Sequence, residues 1–319
     1  MRRKLLAVPS ALLLAVLAGC SSASGSTANG APTAVGGSTL PTVQGAFGVK
    51  PTVTVPSSKP PSTLKTSVLH KGSGAVVAKG QLVAVNYYGE IWKSKKVFDT
   101  SFNTGRTPAA FPIGVGQVIP GFDSGIIGQT IGSRILLVIP PSQAYGAQGN
   151  SQAGIAANDT LVFVVDILGT HNASATAHGT PAPSLGAGLP QVSSAPGKPT
   201  IKVPKVKAPT TLVVKTVLAG NGDTVRAGDL LIVQYVGVKW ADGKTFDSSW
   251  DRGTPAGFGI GVGQVIKGWD LALVGRKVGD RVLVVVPPAD GYGAQGQSQA
   301  GIKGTDTLVF AVDIVGTYH

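Results

Sequence analysis

The feature that most constrains the fold is an internal repeat, because a domain-sized stretch of this 319-residue chain occurs twice. Lys50-Pro-Thr-Val-Thr-Val-Pro returns as Lys198-Pro-Thr-Ile-Lys-Val-Pro, and Tyr145-Gly-Ala-Gln-Gly returns as Tyr292-Gly-Ala-Gln-Gly. Solenoid repeats have periods of about 20–50 residues, far shorter than this one. The repeat therefore predicts two copies of one domain in tandem.

The two copies differ in length by one residue. The offset between them is 148 at Tyr87 and Tyr235 but 147 at Phe111 and Phe258. Copy one therefore carries one extra residue within the stretch 99–108. Two side chains on opposite sides of that stretch are therefore one residue further apart in the sequence of copy one than in copy two.

The repeat and the composition together predict the domain boundaries. We place domain 1 at residues 50–171 and domain 2 at residues 198–319. Residues 20–49 and 172–197 consist mainly of Ser, Gly, Thr, Ala and Pro and lack apolar periodicity, which is typical of flexible segments. We therefore expect a flexible tether before domain 1 and a mobile linker between the domains, so that the domains move independently.

Hydrophobic patterning in copy two predicts mostly strands. Residues 211–218, 230–238, 281–286 and 307–315 are rich in β-branched residues and are bounded by Gly, Pro or Asp. Only residues 269–274 have the length and propensity for a helix. The prediction is an α+β domain in which an antiparallel sheet covers one short helix. The strands by themselves are also compatible with a small β-sandwich.

The first residues have the pattern of an export signal. Three basic residues precede an apolar run at residues 5–18, which is too short to span a membrane. Leu17-Ala-Gly-Cys20 resembles the lipobox of a bacterial lipoprotein, and Cys20 is the only cysteine. We predict that residues 1–19 are a signal peptide and that lipid on Cys20 anchors the chain to the membrane outside the cytoplasm. The alternative is that Cys20 is an ordinary small residue of the signal peptide and carries no lipid.

The charge of the chain points to a basic surface. The formal net charge is +12, but the basic residues are spread along strands and turns without interleaved aromatic residues. That pattern favours a solvated surface, and we expect no nucleic-acid partner. Attraction to anionic lipid or to a cell-wall polymer remains an alternative.

Five separated motifs of copy two carry a resemblance to a known family. They are Val233-Gln-Tyr235-Val-Gly237, the stretch 244–269, Gly291-Tyr-Gly-Ala-Gln-Gly296, Ile302 and Leu308-Val-Phe310. In this order and at these spacings they resemble the FKBP family of peptidyl-prolyl cis-trans isomerases. The resemblance implies two tandem domains, each a twisted antiparallel sheet around one short helix with a pocket between them. It also implies isomerisation of X–Pro bonds.

The resemblance assigns roles to residues of domain 2. It places Trp269 at the base of an apolar pocket, and it implies that Asp247 is held by Arg252 and by the hydroxyl of Tyr235. The Tyr292 hydroxyl and the backbone N–H of Ile266 would bind the ligand. The remaining walls would be Phe246, Val265, Ile302 and Phe310. The alternative is structural: the aromatic residues would be core, and Asp247 would form an Asx turn.

Copy one keeps most of these positions and changes three. Phe122 replaces the basal tryptophan and Pro120 replaces Lys267, while the extra residue displaces Arg106 relative to Asp99. We expect the Arg–Asp pair to be weakened in domain 1. The substrate-binding positions kept in copy one are Tyr87, Phe98, Asp99, Val118, Ile119, Tyr145, Ile155 and Phe163.

These residues predict an isomerase that assists the folding of exported proteins, with domain 2 the more active. Its partners would be proline-containing unfolded or exported polypeptides and macrolides of the kind that this family binds. We expect no cofactor and no metal, since the four histidines do not cluster in the sequence. Two alternatives remain: a proline-segment-binding chaperone or interaction module with little turnover, and a purely structural protein of the cell envelope.

Overall fold

A computed structural model describes residues 39–319 of the chain. Domain 1 has one main antiparallel sheet, a small two-stranded sheet and a single short α-helix. Its elements are strands β1 (Thr42–Gln44), β2 (Thr52–Thr54), β3 (Lys65–His70), β4 (Leu82–Ile91), β5 (Val97–Thr100) and β6 (Ala109–Pro112), helix α1 (Pro120–Ile126), and strands β7 (Arg134–Ile139) and β8 (Leu161–His171).

The strand order in the main sheet of domain 1 is β3-β7-β8-β4-β5, and β6 also pairs with β4. All of these pairings are antiparallel, and Tyr87 lies opposite Val165 in the central pair. Strands β1 and β2 form a separate two-stranded sheet. Helix α1 begins at Pro120, where the fixed φ of proline suits the first turn and its missing N–H costs nothing.

Domain 2 repeats this arrangement and adds elements of its own. Its main sheet has the order β14-β13-β17-β16-β12-β9, with β15 paired to β13. The elements are β9 (Thr180–Pro181), β10 (Gln191–Val192), β11 (Ile201–Lys202), β12 (Val213–Ala219), β13 (Leu230–Lys239), β14 (Thr245–Ser248), α2 (Ser249–Arg252), β15 (Ala256–Gly259), α3 (Lys267–Leu273), β16 (Arg281–Val286) and β17 (Leu308–Tyr318).

The predicted fold class is confirmed, and the four long strands of domain 2 lie where the patterning placed them. Short elements were missed. Helix α2 is a single turn that begins because the Ser248 side chain accepts the N–H of Asp251, and it ends at Gly253, whose φ is 71°. A turn this short has no apolar period, so only its end residues could have predicted it.

The sheet of domain 2 is buried on both faces, whereas the patterning predicted one apolar face. On the inner face, Val284 and Val312 pack against Trp269 and Leu273 of α3. On the outer face, Val309 belongs to a second buried cluster. Asp313, which also lies on the outer face, is fully buried.

The outer face of domain 2 is covered by the segment that we expected to be a mobile linker. Its apolar side chains Leu185, Leu189 and Val192 pack against the cluster that contains Val285 and Val309. Strand β9 extends the main sheet, and β10 pairs with β11. Residues 172–197 are therefore part of the structure of domain 2, because the sheet needs its outer apolar side chains covered.

The end of the expected tether has the same role in domain 1. Val43 and Leu40 pack with Tyr88, Leu136 and Val164 on the outer face of that sheet. The segment 40–49 is thus packed on domain 1, whereas we expected a flexible tether there. The predicted signal peptide, Cys20 and the rest of the predicted tether up to residue 38 lie outside the described residues.

The two domains also contact each other, which differs from the expected independent motion. Leu82 and Ala84 of domain 1 form a buried cluster with Leu230 and Ile232 of domain 2. These are equivalent positions in the two copies, so each domain presents the same surface to the other. Within residues 39–319, no helix combines the length and the apolar composition of a membrane span.

Candidate functional site

The base of the candidate site in domain 2 is a group of aromatic rings around Trp269. Trp269 lies in α3 with its side chain turned into the core, and it is 5% exposed. Its ring centroid lies 5.2 Å from that of Tyr235 and 5.1 Å from that of Phe310, both edge-on. Phe258 approaches it at 5.3 Å from the strand β15. Such edge-to-face contacts fix the rings and leave an apolar surface.

The wall beside this base depends on a glycine. Phe246 and Phe310 lie edge to face with centroids 5.5 Å apart. A Cβ atom at Gly237 would lie 2.7 Å from Phe246 Cζ and 2.9 Å from Phe310 Cε1. Gly237 is therefore required for the close approach of the two rings to the sheet, which gives a physical reason for the glycine in the Tyr235–Gly237 motif.

The loop before α3 brings the aliphatic wall into place. Val265 and Ile266 pack on the core cluster of the domain, and Ile266 immediately precedes the helix. The preceding turn is fastened by Asp270, whose carboxylate accepts the N–H groups of Gly261 at 2.7 Å and Gly263 at 2.8 Å. Both glycines have positive φ, which few other residues adopt without strain.

Polar groups are concentrated at one edge of the apolar surface. The Tyr235 hydroxyl donates to Asp247, and the Asp247 carboxylate also pairs with Arg252. Arg252 donates a second hydrogen bond from Nη2 to the Tyr235 hydroxyl at 2.8 Å, and its guanidinium carbon lies 5.4 Å from the centre of that ring. The three side chains form a closed network that fixes the carboxylate.

The surroundings of Tyr235 and Arg252 raise the pKa of both groups, so both stay protonated near neutral pH. Burial raises the pKa of Tyr235, and hydrogen bonding and charge from Asp247 raise it further, while Arg252 lowers it. Burial opposes the charge of Arg252, but Tyr235 and Asp247 outweigh burial, so the pKa of Arg252 is raised. Burial also raises the pKa of Tyr292, and Asp247 adds to the effect. Tyr292 therefore lies within electrostatic reach of the network.

Ile302 lies in the same buried cluster as Trp269 and Phe310. It is 4% exposed and belongs to the core cluster, and its backbone exchanges hydrogen bonds with Gln297. The structure thus shows it as a buried residue under the loop. The predicted residues that lie around the base and the edge described above are Tyr235, Phe246, Asp247, Arg252, Val265, Ile266, Trp269 and Phe310.

Domain 1 has a cavity of about 420 Å³ at the matching place. Ile155 does not line it but is 3% exposed in the core beneath. The predicted residues that line the cavity are Tyr87, Phe98, Asp99, Val118, Ile119, Phe122, Tyr145 and Phe163.

The sequence reasoning missed Phe111, which also lines this cavity and contacts Phe122 at 5.6 Å. Its counterpart Phe258 contacts Trp269 in domain 2. The signal was present, because an aromatic residue recurs at this position in both copies. Gly116 and Gln117 also line the cavity, and they too recur in copy two, as Gly263 and Gln264.

The expected weakening of the Arg–Asp pair in domain 1 is not observed. Arg106 Nη2 donates to Asp99 at 2.9 Å, and the Tyr87 hydroxyl donates to the same carboxylate. The loop that carries the extra residue absorbs the change in spacing. The two domains differ in the hydrogen bonds of the arginine. Arg252 donates to the Tyr235 hydroxyl at 2.8 Å, and in the described part of domain 1 the bond from Arg106 to the Tyr87 hydroxyl is not equally well formed.

The bases of the two sites also differ. Phe122 contacts Phe111 and Phe163, and Tyr87 contacts Phe111 at 6.1 Å. In domain 2, Trp269 reaches the tyrosine directly. The base of domain 1 thus carries a smaller aromatic ring than the base of domain 2. The described residues contain no group of three His, Cys, Asp or Glu side chains arranged to hold a metal ion.

The sequence model of the FKBP-type peptidyl-prolyl cis-trans isomerases matches residues 74–168 and residues 222–315. An FK506-binding protein of Streptomyces anulatus is 41% identical over 118 residues, which are 37% of this chain and 95% of that protein. The peptidyl-prolyl cis-trans isomerase FKBP9 of Rattus norvegicus is 30% identical over 233 residues, or 73% of this chain. This chain covers 34% of the length of the rat protein.

Two solved structures are similar over one domain. The crystal structure of FkpA from Escherichia coli is 38% identical, with 34% of this chain and 47% of that chain covered and a TM-score of 0.31. The crystal structure of AtFKBP13 is 36% identical, with 35% of this chain and 95% of that chain covered and a TM-score of 0.32.

Proposed function

Because this chain belongs to the FKBP-type peptidyl-prolyl cis-trans isomerase family, we propose that its two pockets bind proline-containing segments of unfolded or exported polypeptides and speed the isomerisation of their X–Pro bonds. The observation that carries the proposal is the occurrence, twice in one chain, of an aromatic base with a Tyr–Asp–Arg network at its edge. Macrolides of the kind that the family binds would occupy the same pockets.

The proposed mechanism needs no proton transfer. Amide resonance gives the X–Pro bond a rotation barrier of about 18–20 kcal/mol. Transfer of the bond from water to the aromatic base disfavours its charge-separated planar form, and a pocket shaped for the twisted bond stabilises the transition state. In domain 2 the proline ring would lie on Trp269, against Phe310 and Phe246.

The polar groups would orient the substrate. The backbone N–H of Ile266 and the hydroxyl of Tyr292 would bind carbonyl oxygens of the ligand. Asp247, fixed by Tyr235 and Arg252, would set the orientation of the carbonyl of the rotating bond. Fixed dipoles and charges of this kind stabilise a transition state without reorganising during the reaction.

We propose that domain 2 is the more active of the two. Its base carries the larger aromatic ring, and Arg252 contacts both Asp247 and Tyr235. Domain 1 has the smaller ring of Phe122 at the base of its pocket. The second candidate function follows from this difference, since domain 1 could hold proline segments as a chaperone module while domain 2 turns them over.

Isomerisation should be measured on the full chain, because residues 40–49 and 172–197 cover the outer faces of the sheets. The matched variants are Phe163→Ala in domain 1 and Phe310→Ala in domain 2, with the fold of each checked by circular dichroism. In a protease-coupled assay with a proline tetrapeptide, we expect Phe310→Ala to remove more activity than Phe163→Ala. A wild-type chain that binds the peptide but does not accelerate isomerisation would establish the binding module instead.

The proposed place of action is the outer side of the cytoplasmic membrane, with lipid on Cys20 as the anchor. The support is the sequence Leu17-Ala-Gly-Cys20 behind a basic and apolar leader. Several acyl chains together anchor a protein stably, whereas one binds only marginally. Cys20→Ser should release the chain from the membrane fraction or block its processing. A Ser variant that is processed and stays with the membrane would contradict the lipid anchor.

A further inference from the structure

Domain 1 contains a second cavity, of about 470 Å³, that shares no residue with the aromatic pocket. Three pieces of backbone form it: the segment Pro56–Pro60 after β2, the turn Trp92–Lys95 after β4 and the turn Asn158–Thr160 before β8. The proposed isomerase function leaves this cavity unused.

The cavity is rich in positive charge. Lys59, Lys93 and Lys95 line it, and Asp159 is its only acidic lining residue. The Asp159 carboxylate already accepts the N–H of Ala156 at 2.8 Å. Within the described residues, none of the three lysines forms an ion pair with a carboxylate.

Glu90 is the other carboxyl group near these lysines, and it does not neutralise them by contact. It is 4% exposed, and it accepts a hydrogen bond from the Tyr88 hydroxyl at 2.9 Å. Burial raises the pKa of Glu90, and Tyr88 and the charge of Lys95 oppose that effect. The charge of Lys95 thus acts on Glu90 without an ion pair between them, and its Nζ donates to the carbonyl oxygen of Pro56, which lines the cavity.

The backbone around the cavity is unusual. Two non-glycine residues in the described chain have positive φ, Lys95 at 58° and Asn158 at 59°, and both line this cavity. Asparagine tolerates this conformation, but a lysine there is uncommon. In domain 2 the position that matches Lys95 is Gly243, with a φ of 66°. Backbone strain of this kind persists where the surroundings hold it and is concentrated at functional sites.

Contacts across the cavity hold the strained lysine in place. Lys95 Nζ donates to the carbonyl oxygen of Pro56 at 2.8 Å and lies 5.7 Å from the centre of the Trp92 ring. Trp92 Nε1 donates to the carbonyl oxygen of Ser58 at 3.1 Å. An ammonium group has three donors, so Lys95 retains donors for a ligand. The segment 56–60 and the turn are thus already organised around the cavity.

The matching turn of domain 2 has lost this charge. Ala241, Asp242 and Gly243 stand where domain 1 has Lys93, Ser94 and Lys95. Asp242 also forms an ion pair with Lys239 at 3.5 Å, so the two opposite charges at this turn offset each other. The segment of domain 2 that matches residues 56–60 carries Lys205 and Lys207, so a lysine at the position of Lys59 is common to both copies. The two lysines of the turn, Lys93 and Lys95, are particular to domain 1.

We propose that this cavity is a binding site for a phosphate-type anion, either a small phosphate compound or the phosphate of a lipid headgroup. Three ammonium groups supply the charge, and the exposed hydroxyls of Ser57 and Ser58 and the Asn158 amide supply further hydrogen bonds. Hydrogen bonds between charged partners are stronger than neutral ones, which favours an anion over a neutral ligand. The site would attach domain 1 to an anionic ligand while leaving the aromatic pocket open.

The test compares two triple variants in the full chain carrying Cys20→Ser, so that acylation does not contribute. The cavity variant is Lys59→Gln, Lys93→Gln and Lys95→Gly, where the glycine reproduces the residue found in domain 2. The control variant is Lys65→Gln, Lys71→Gln and Lys79→Gln, which removes the same charge from exposed positions of the same domain. The probes are inorganic phosphate, measured by calorimetry, and phosphatidylglycerol vesicles compared with phosphatidylcholine vesicles, measured by flotation.

We expect the cavity variant to bind about tenfold or more weakly than the control variant, because it lacks the charged donors that converge on the ligand. Its isomerase rate and thermal unfolding temperature should match those of the control. Binding of inorganic phosphate would identify a small phosphate ligand, and binding of phosphatidylglycerol vesicles alone would identify a lipid headgroup. Binding of neither probe by the parent chain, or an equal loss in both variants, would overturn the proposal.

Discussion

His171 and Tyr318 occupy equivalent positions in the two copies and meet across the contact between the domains. The Nε2 atom of His171 lies 2.8 Å from the Tyr318 hydroxyl, and the two rings are arranged edge to face. Glycines make room for both, since a Cβ atom at Gly316 would lie 2.5 Å from His171 Cε1 and one at Gly169 would lie 1.8 Å from Tyr318 Oη. The contact therefore requires small residues at matching places in both domains.

Acid should weaken this contact through His171. Burial lowers the pKa of His171 to about 4, below its ordinary value of 6.5. Between these values His171 binds a proton in the unfolded chain but not in the folded chain. The contribution of His171 to the free energy of unfolding is therefore complete above about pH 6.5 and is lost as the pH falls toward 4. We expect the free energy of unfolding to fall between pH 7.5 and pH 5 more in the wild type than in His171→Gln. His70→Gln, at an exposed position, is the control. Equal losses in all three proteins would contradict the role of His171.

The buried pair Arg281–Asp313 should be essential for the stability of domain 2. Both side chains are fully buried, and Arg281 Nε lies 2.6 Å from Asp313. The remaining donors of Arg281 bind carbonyl oxygens of the covering segment, at Ser193, Ala195 and Gly197. Loss of one partner of a buried pair costs about 3–5 kcal/mol, because the other charge stays buried without a partner.

We therefore expect Arg281→Met to lower the free energy of unfolding by about that amount and to expose residues 176–197 to proteolysis. Chemical denaturation and limited proteolysis of the full chain check both effects. Lys215→Met, at an exposed position of β12, should leave both unchanged. A stable Arg281→Met variant with an intact covering segment would show that apolar contacts alone hold that segment.

Asp247→Asn should slow isomerisation partially. The substitution keeps the shape of the side chain but removes the charge that pairs with Arg252 and accepts from Tyr235. We expect a loss of up to about tenfold in kcat/KM, since a hydrogen bond to a charged group contributes about 1.5 kcal/mol and about 1.4 kcal/mol is a factor of ten. Asp242→Asn, in an exposed turn, should have no effect. A loss of several orders of magnitude would indicate a direct chemical step at this carboxylate.

The isomerisation rate should be nearly flat between about pH 6 and pH 8. The pKa values of Tyr235 and Arg252 are both raised, so both groups stay protonated through this range. The measurement is kcat/KM of the wild-type chain by NMR exchange, which avoids the pH dependence of a coupling protease. A bell-shaped profile would point to a general acid or base outside the proposed network.

Phe122→Trp should raise the activity of domain 1. The larger ring would reach Tyr87 as Trp269 reaches Tyr235 and would fill the base of the pocket. The rate should be measured in the full chain with Phe310→Ala silencing domain 2, and it should recover part of the difference between the domains. An unchanged or lower rate would mean that the base residue does not control activity.

The aromatic positions could be predicted from the sequence, whereas the Arg–Asp geometry could not. The pattern of each strand or helix fixes which side of the element a side chain occupies. The aromatic residues that lie at the family's spacings on such elements are Tyr235, Phe246, Trp269 and Phe310. The spacing of Arg106 predicted a weakened pair, yet Arg106 and Asp99 form an ion pair. A surface loop can absorb an inserted residue, so the distance between two side chains across it does not follow from their separation in sequence.

The sequence by itself determined the duplication, the α+β class, the long strands and the aromatic base of each pocket, because these depend on local period and on repetition. Only the tertiary structure decided the roles of residues 40–49 and 172–197 and the contact between the domains. Leu40, Leu189 and Val192 stand singly among Ser, Gly, Ala and Pro, so no period marks them as buried. Their burial depends on an outer sheet face that exists only once distant strands have paired, and such a surface has no signature in any one stretch of chain.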